Sequence, residues 1–157
     1  MAIIERSILV ARPIEEAFDY VVAFEHAVRW NPAVITSERL SAGQPHMGSL
    51  YQLVVEMGRG TTSMRYEITE LDRPMRLELS GEGERLRSLE VVRFTDLDED
   101  TRISWRADIR LRGPRGLFGL AGRRAFNRAA DDAMDGLQHA IDPLAALVRL
   151  IRSVDDR

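Results

Sequence analysis

Cysteine is absent from this chain of 157 residues, and so is lysine: all 22 basic residues are arginine. Without cysteine there is no disulfide, no thiolate metal site and no Cys nucleophile. Without lysine there is no Schiff base and no phosphate-gripping lysine of the P-loop kind. Three histidines, His26, His46 and His139, are scattered along the chain, and His139 falls on the polar side of a helix, so no metal site is expected. Aromatics make up only 6% of the residues, which makes each one informative. No apolar run approaches the ~20 residues that span a bilayer. The opening Met1-Ala2-Ile3-Ile4-Glu5-Arg6 lacks the basic and apolar regions of a signal peptide, so a cytoplasmic protein is expected. A formal net charge of −3 speaks against nucleic acid as a partner. What is present is ordinary globular composition, 45% hydrophobic and 30% charged, enough for a real core.

Residues 3–11 read as a strand whose apolar positions bracket a polar pair. Pro13 opens a helix, since its fixed φ suits the first turn, and Glu15 and Glu16 complement the helix dipole. Ile14, Ala17, Phe18, Val21 and Val22 give that helix one apolar face. A second helical piece runs from about Glu25 to Trp30 and stops at Asn31-Pro32. Extended segments follow at about 34–40, 49–57, 61–71, 75–80, 85–96 and 101–111. Turns are read at Ala42-Gly43-Gln44-Pro45, Gly58-Arg59-Gly60, Asp72-Arg73-Pro74, Gly81-Glu82-Gly83-Glu84 and Asp98-Glu99-Asp100. Connections this short join antiparallel neighbours.

The glycine-rich stretch Gly113 to Gly119 leads into a long helix with Phe126, Ala130, Ala133, Leu137, Ala140, Ile141 and Leu144 at helical spacing. Asp142-Pro143 kinks it or starts another. One helix must therefore cover the apolar face of a seven-stranded sheet. Ala129, Ala133, Gly136 and Ala140 recur at 4-3-4 spacing on it. Small residues there either bring the helix close to the sheet or leave a cavity, and periodicity does not choose between the two.

Several stretches together resemble the START-like (SRPBCC) superfamily, in its polyketide cyclase/dehydrase-like branch. Ala11-Arg12-Pro13-Ile14-Glu15-Glu16-Ala17-Phe18-Asp19-Tyr20-Val21 is similar to that family's opening strand-to-helix step. Trp30-Asn31-Pro32-Ala33-Val34 resembles its step into the second strand, and His46-Met47-Gly48-Ser49 its glycine-led third strand. Asp100-Thr101-Arg102-Ile103-Ser104-Trp105 resembles its last strand, with Asp100 where glycine is usual, and Gly136-Leu137 the small-Leu pair of its closing helix. The resemblance implies an α+β helix-grip fold of the Bet v 1/START-like kind: a curved seven-stranded antiparallel sheet around a long C-terminal helix, enclosing a hydrophobic pocket. It implies a single domain over 1–157, with a core at about 3–142 and a helical extension at 143–157. It also favours the cavity reading of the small residues on the closing helix.

Strand alternation and this resemblance nominate the pocket wall. Tyr and Trp, with a polar edge that needs a partner when buried, head the set: Trp30, Tyr51, Tyr66 and Trp105. Met64, Ser88, Ala133, Gly136 and Leu137 complete it. Glu90 shares a strand face with Ser88, Val92 and Phe94, so an unbroken register turns it inward, and one β-bulge turns it outward, which is the favoured reading. An inward carboxyl would have a raised pKa, so Glu90 and Tyr66 are the weak catalytic candidates. The cyclase branch is understood to bind oxygens with arginine and tyrosine, but Arg65 alternates onto the wet face. No cofactor is implied.

Six arginines between Arg110 and Arg128 (Arg110, Arg112, Arg115, Arg123, Arg124 and Arg128), with no acid among them, flank Leu117, Phe118 and Leu120. They read as a solvated loop, with peripheral membrane contact or an anionic ligand group as alternatives. A homodimer through a sheet edge or the helix after Pro143 stays open. The leading expectation is binding of a small hydrophobic or aromatic molecule. A polyketide cyclase/dehydratase-type enzyme and a membrane-docking or protein-interaction module are the alternatives.

Overall fold

A computed structural model describes residues 2–112, 120–142, 151–152 and 154–155. Strand β1 (Ala2–Val10) is followed by helix α1 (Ile14–Val22), a 3-10 turn (Phe24–His26) and the short helix α2 (Ala27–Trp30). Then come β2 (Val34–Arg39), β3 (Leu50–Met57), β4 (Gly60–Asp72), β5 (Arg76–Gly83), β6 (Leu86–Leu97) and β7 (Asp100–Leu111), and helix α3 (Leu120–Ile141). The strands form one antiparallel sheet in the order β1-β7-β6-β5-β4-β3-β2. Every pairing in it joins either sequence neighbours or the first and last strands, as short connections require. The expected seven-stranded sheet with a long closing helix is the fold of the protein.

Three sequence expectations are corrected. The helical piece at 25–30 is a 3-10 turn that passes into α2, so Phe24 is part of it and is buried. Gly81-Glu82-Gly83-Glu84 is not a turn, because β5 continues through Gly83. Both glycines are close-approach positions inside the strand: a Cβ on Gly81 would stand 2.6 Å from the Tyr66 ring, and one on Gly83 2.5 Å from the Met64 sulfur. In β1 the polar pair is not bracketed but split, Arg6 facing the helix side and Glu5 the outside, as strict alternation demands. The extension at 143–157 lies outside the described residues apart from the two short pieces named above.

α1 packs on the sheet through Phe18, whose ring meets Phe94 edge-on at 5.1 Å. Arg73 in the β4–β5 turn lies over the Phe18 ring and pairs with Asp19 and, at 3.2 Å, Glu15. The C-terminal end of α3 is tied to the joint between β1 and α1. Gln138 donates to the Leu9 carbonyl (2.7 Å), Arg12 to that of Ile141 (3.2 Å), and the Ala11 amide to Asp142 (3.2 Å). These bonds anchor one half of the helix on the sheet rim.

Candidate functional site

Where α3 spans the sheet, a cavity of about 160 Å³ lies between them. Its roof is Phe126, Ala129, Ala130, Ala133 and Met134 of α3. The floor is Glu90, Trp105, Ala107 and Ile109 of β6 and β7, with Ile4 and Arg6 of β1 on one side and Leu53, Val55 and Tyr66 on the other. Phe24, Trp30, Asn31, Ala33 and Val34 close one end. Phe24 is the hub of an aromatic cluster, with ring centroids 5.0 Å from Tyr66, 5.9 Å from Tyr51 and 6.4 Å from Trp30. Trp30 in turn meets Trp105 edge-on at 5.5 Å. Edge-to-face pairs of this kind each add about 1 kcal/mol to area burial and hold the rings in fixed orientations.

A carboxyl stands in this largely apolar wall. Glu90 faces the cavity, contrary to the favoured outward reading, because β6 keeps an unbroken register with both β5 and β7 and no bulge rotates it. Its carboxyl accepts the Trp105 indole N–H at 2.7 Å and the Ser88 hydroxyl at 3.3 Å. Burial pushes its pKa up, and hydrogen bonding pulls it down without reversing that. Burial thus shifts the carboxyl toward its neutral, proton-bearing form. Tyr66 is raised too, by burial first and by Glu90 second, so its phenol stays protonated.

The backbone explains how these groups meet. Tyr66, Gly81 and Ser88 are successive partners on one row across β4, β5 and β6. A Cβ on Gly81 would stand 2.7 Å from the Ser88 hydroxyl as well as against the Tyr66 ring. With glycine there, the tyrosine lies down across β5 and reaches Ser88 and Glu90. Trp105 is the cross-strand partner of Val92, diagonal to Glu90, within reach of a long side chain.

Among the residues nominated from sequence, Trp30, Tyr66, Glu90, Trp105 and Ala133 border the cavity. The others do not. Tyr51 is buried in the core behind Phe24, donates to the Val22 carbonyl at 3.2 Å, and has its pKa pushed up to about 12 chiefly by burial. Met64 is buried against Gly83, and Ser88 stands behind Glu90 as its hydrogen-bond donor. Leu137 is fully buried in the core beyond the cavity. Gly136 serves close packing rather than space: a Cβ there would collide with the Trp30 carbonyl oxygen. Arg65 is exposed, on the wet face.

Phe24, Arg6, Asn31 and Met134 were missed. Arg6 was detectable by parity with Ile4 and Ile8; it donates to Asp131 (2.6 Å) and Asn127 (2.9 Å) of α3 and so clasps the helix to the sheet edge beside the cavity. Arg115, Leu117 and Phe118 lie outside the described residues, while Arg123, Arg124 and Arg128 are exposed on α3. Among the described residues no group of His, Asp or Glu is arranged to hold a metal, and no helix is long and apolar enough to cross a membrane.

An antiparallel sheet closed by one helix over an aromatic-walled cavity defines the helix-grip class. The chain belongs to the polyketide cyclase/dehydrase and lipid transport family, whose profile matches residues 1–142. No curated protein matches the sequence. Among solved structures, the chain is similar to a START superfamily protein from Mycobacterium smegmatis (TM-score 0.76, 16% identity, covering 90% of this chain and 98% of the other). It is similar to a protein from Thermus thermophilus (TM-score 0.74, 16% identity, 92% and 99% covered). It is also similar to the Zhui aromatase/cyclase of a Streptomyces species (TM-score 0.65, 18% identity, 89% and 90% covered). At these identities the likeness is one of fold.

Proposed function

We propose that this protein binds a small hydrophobic or aromatic molecule in the cavity under α3, with its polar edge toward Glu90. The observation that carries the reading is an inward-facing carboxyl, held by Trp105 and Ser88, in a largely apolar wall. The volume of about 160 Å³ suits one ring, since apolar cavities of roughly 150 Å³ admit benzene. A carboxyl that keeps its proton donates to a carbonyl or hydroxyl on that ring, and selects it against a plain hydrocarbon. The test is saturable binding of toluene, benzaldehyde and phenol, followed by ligand-observed NMR. The oxygen-bearing rings are expected to bind about tenfold tighter than toluene, as for a buried hydrogen bond. That preference is lost in Glu90→Ala. Absence of saturable binding for all three would sink the reading.

A second reading is an enzyme of the polyketide cyclase/dehydratase type. It is favoured by the same carboxyl, because a proton held on Glu90 beside the Tyr66 hydroxyl is what general acid help to an enolising ketone needs. It is disfavoured by the one-ring size of the cavity, which is too small for a folded poly-β-ketone. Turnover of a poly-β-ketone analogue that disappears in Glu90→Gln and Tyr66→Phe, with toluene binding retained, would install this reading in place of the first.

A further inference from the structure

The cavity is not closed at its Phe126 end. Ala33, Phe126 and Ala129 border both it and an open groove of about 880 Å³ between the β3–β4 turn, the start of β6 and α3. The apolar part of that groove is Met57, Leu111 and Ala125 together with the shared residues. Its charged part is Arg59 and Arg85, opposed by one acid, Glu56. The two arginines come from different hairpins and line one groove, and an Arg85 guanidinium nitrogen lies 3.9 Å from where a Cβ on Gly60 would stand. Among the described residues no ion pair holds either of them, although the neighbouring Arg87 and Arg112 are both occupied by Glu82. Guanidiniums that hold no carboxylate are free to grip an anion through charge-assisted, bidentate bonds.

We infer that the groove is the outer half of a two-part site and takes the anionic end, a carboxylate or phosphate, of a ligand whose apolar end fills the cavity. This rests on the cavity-binding reading above and names the ligand class more narrowly: a free anionic amphiphile rather than a neutral hydrocarbon. The groove's lining fits the assignment, because it adjoins the cavity at Ala33, Phe126 and Ala129 and combines the apolar Met57 and Leu111 with Arg59 and Arg85.

The experiment compares phenylbutanoate, phenylhexanoate and phenyloctanoate with the matching phenylalkanols by isothermal titration calorimetry. It uses the full chain and an Arg59→Gln/Arg85→Gln double variant, with toluene titrated into both. Both positions are exposed turn residues, so the variant is expected to fold. For at least one chain length the acid is expected to bind about tenfold tighter than its alcohol, the effect of one or two charge-assisted hydrogen bonds. In the double variant that advantage vanishes, while alcohol and toluene binding stay unchanged. Equal binding of acid and alcohol, or an acid preference that survives in the variant, overturns the inference even where toluene binds and the cavity reading stands. If toluene and every amphiphile fail to bind, both readings fall together. Phosphatidylserine vesicles form the last arm: sedimentation with them that depends on Arg59 and Arg85, with no acid preference in solution, assigns the pair to a bilayer surface and overturns it as well.

Discussion

Helix α3 does two different things along its length. From Phe126 to Met134 it bridges the cavity, and its alanines face space. From Gly136 to Ile141 it sits down on the structure: Gly136 admits the Trp30 backbone, Leu137 is fully buried, and Gln138 and Ile141 bond to the β1–α1 joint. The 4-3-4 stripe of small residues runs through both halves without a break, yet Ala129 and Ala133 border the cavity, Gly136 makes a close contact and Ala140 is exposed. A small residue is therefore compatible with either outcome, and what decides is the opposite wall. Under Ala133 the nearest surface is the sheet floor, with Glu90 and Trp105. Under Gly136 it is a helix end, which comes closer.

The contrast is broken most severely at Gly136. Gly136→Ala is expected to lower unfolding free energy by about 3 kcal/mol, because the new methyl must displace the Trp30 carbonyl in a packed region. Urea denaturation measures it. A gain near the roughly 1 kcal/mol that alanine adds over glycine within a helix would mean that the close contact yields freely. Leu137→Ala, one position on, is expected to cost a comparable roughly 3 kcal/mol from lost burial and the hole it leaves. If the same measurement on Leu137→Ala gave less than about 1 kcal/mol, the anchoring half would be no better packed than the bridging half.

How much of this was legible in the sequence follows from the kind of contact involved. The strands, α1 and α3 were readable because they rest on periodicity, and periodicity is local, while the helix-grip fold came from the family resemblance. Gly81 shows where that stops. In the chain it looks like half of a Gly-x-Gly turn, and in the fold it lies under the Tyr66 ring, because a residue of β4, far off in sequence, needs the room. Glu90 turned on a bulge that alternation neither requires nor forbids; only the pairing of β6 with both neighbours settles it. Arg6 was available from parity alone, since Ile4, Arg6 and Ile8 share the inner face of β1. Gly136 was not, because the Trp30 carbonyl belongs to a helix more than a hundred positions away.

Beneath the bridging half, Glu90 of β6 also sets a pH dependence. Glu90 has its pKa raised in the folded protein, so the native state holds a proton that the unfolded chain releases. Its contribution is complete below the ordinary carboxyl range and is lost as pH climbs from there through the raised value. Stability should thus decline with rising pH over that window. Glu90→Gln, whose amide oxygen still accepts from Trp105, should flatten the decline. Urea midpoints followed against pH for both proteins provide the check, and parallel curves would mean that Glu90 ionises in the folded state as readily as in the unfolded chain.

The smallest expected change in stability is also the one that separates the halves most cleanly. Ala133→Leu adds three carbons over a space of about 160 Å³, so the side chain has somewhere to go and no neighbour has to move far. Its stability should stay within about 1 kcal/mol of the parent, on either side, since filling a void regains burial while fitting the new branch costs some rotamer freedom. Toluene binding, by contrast, should be abolished, because the leucine occupies the place of the guest. At Gly136 the reverse is expected, a large loss of stability with no direct effect on the cavity, which that residue does not border. Calorimetry of Ala133→Leu with toluene decides the matter: a folded variant that still binds the ring at parent affinity would show that the guest sits somewhere other than beneath the bridging half of α3.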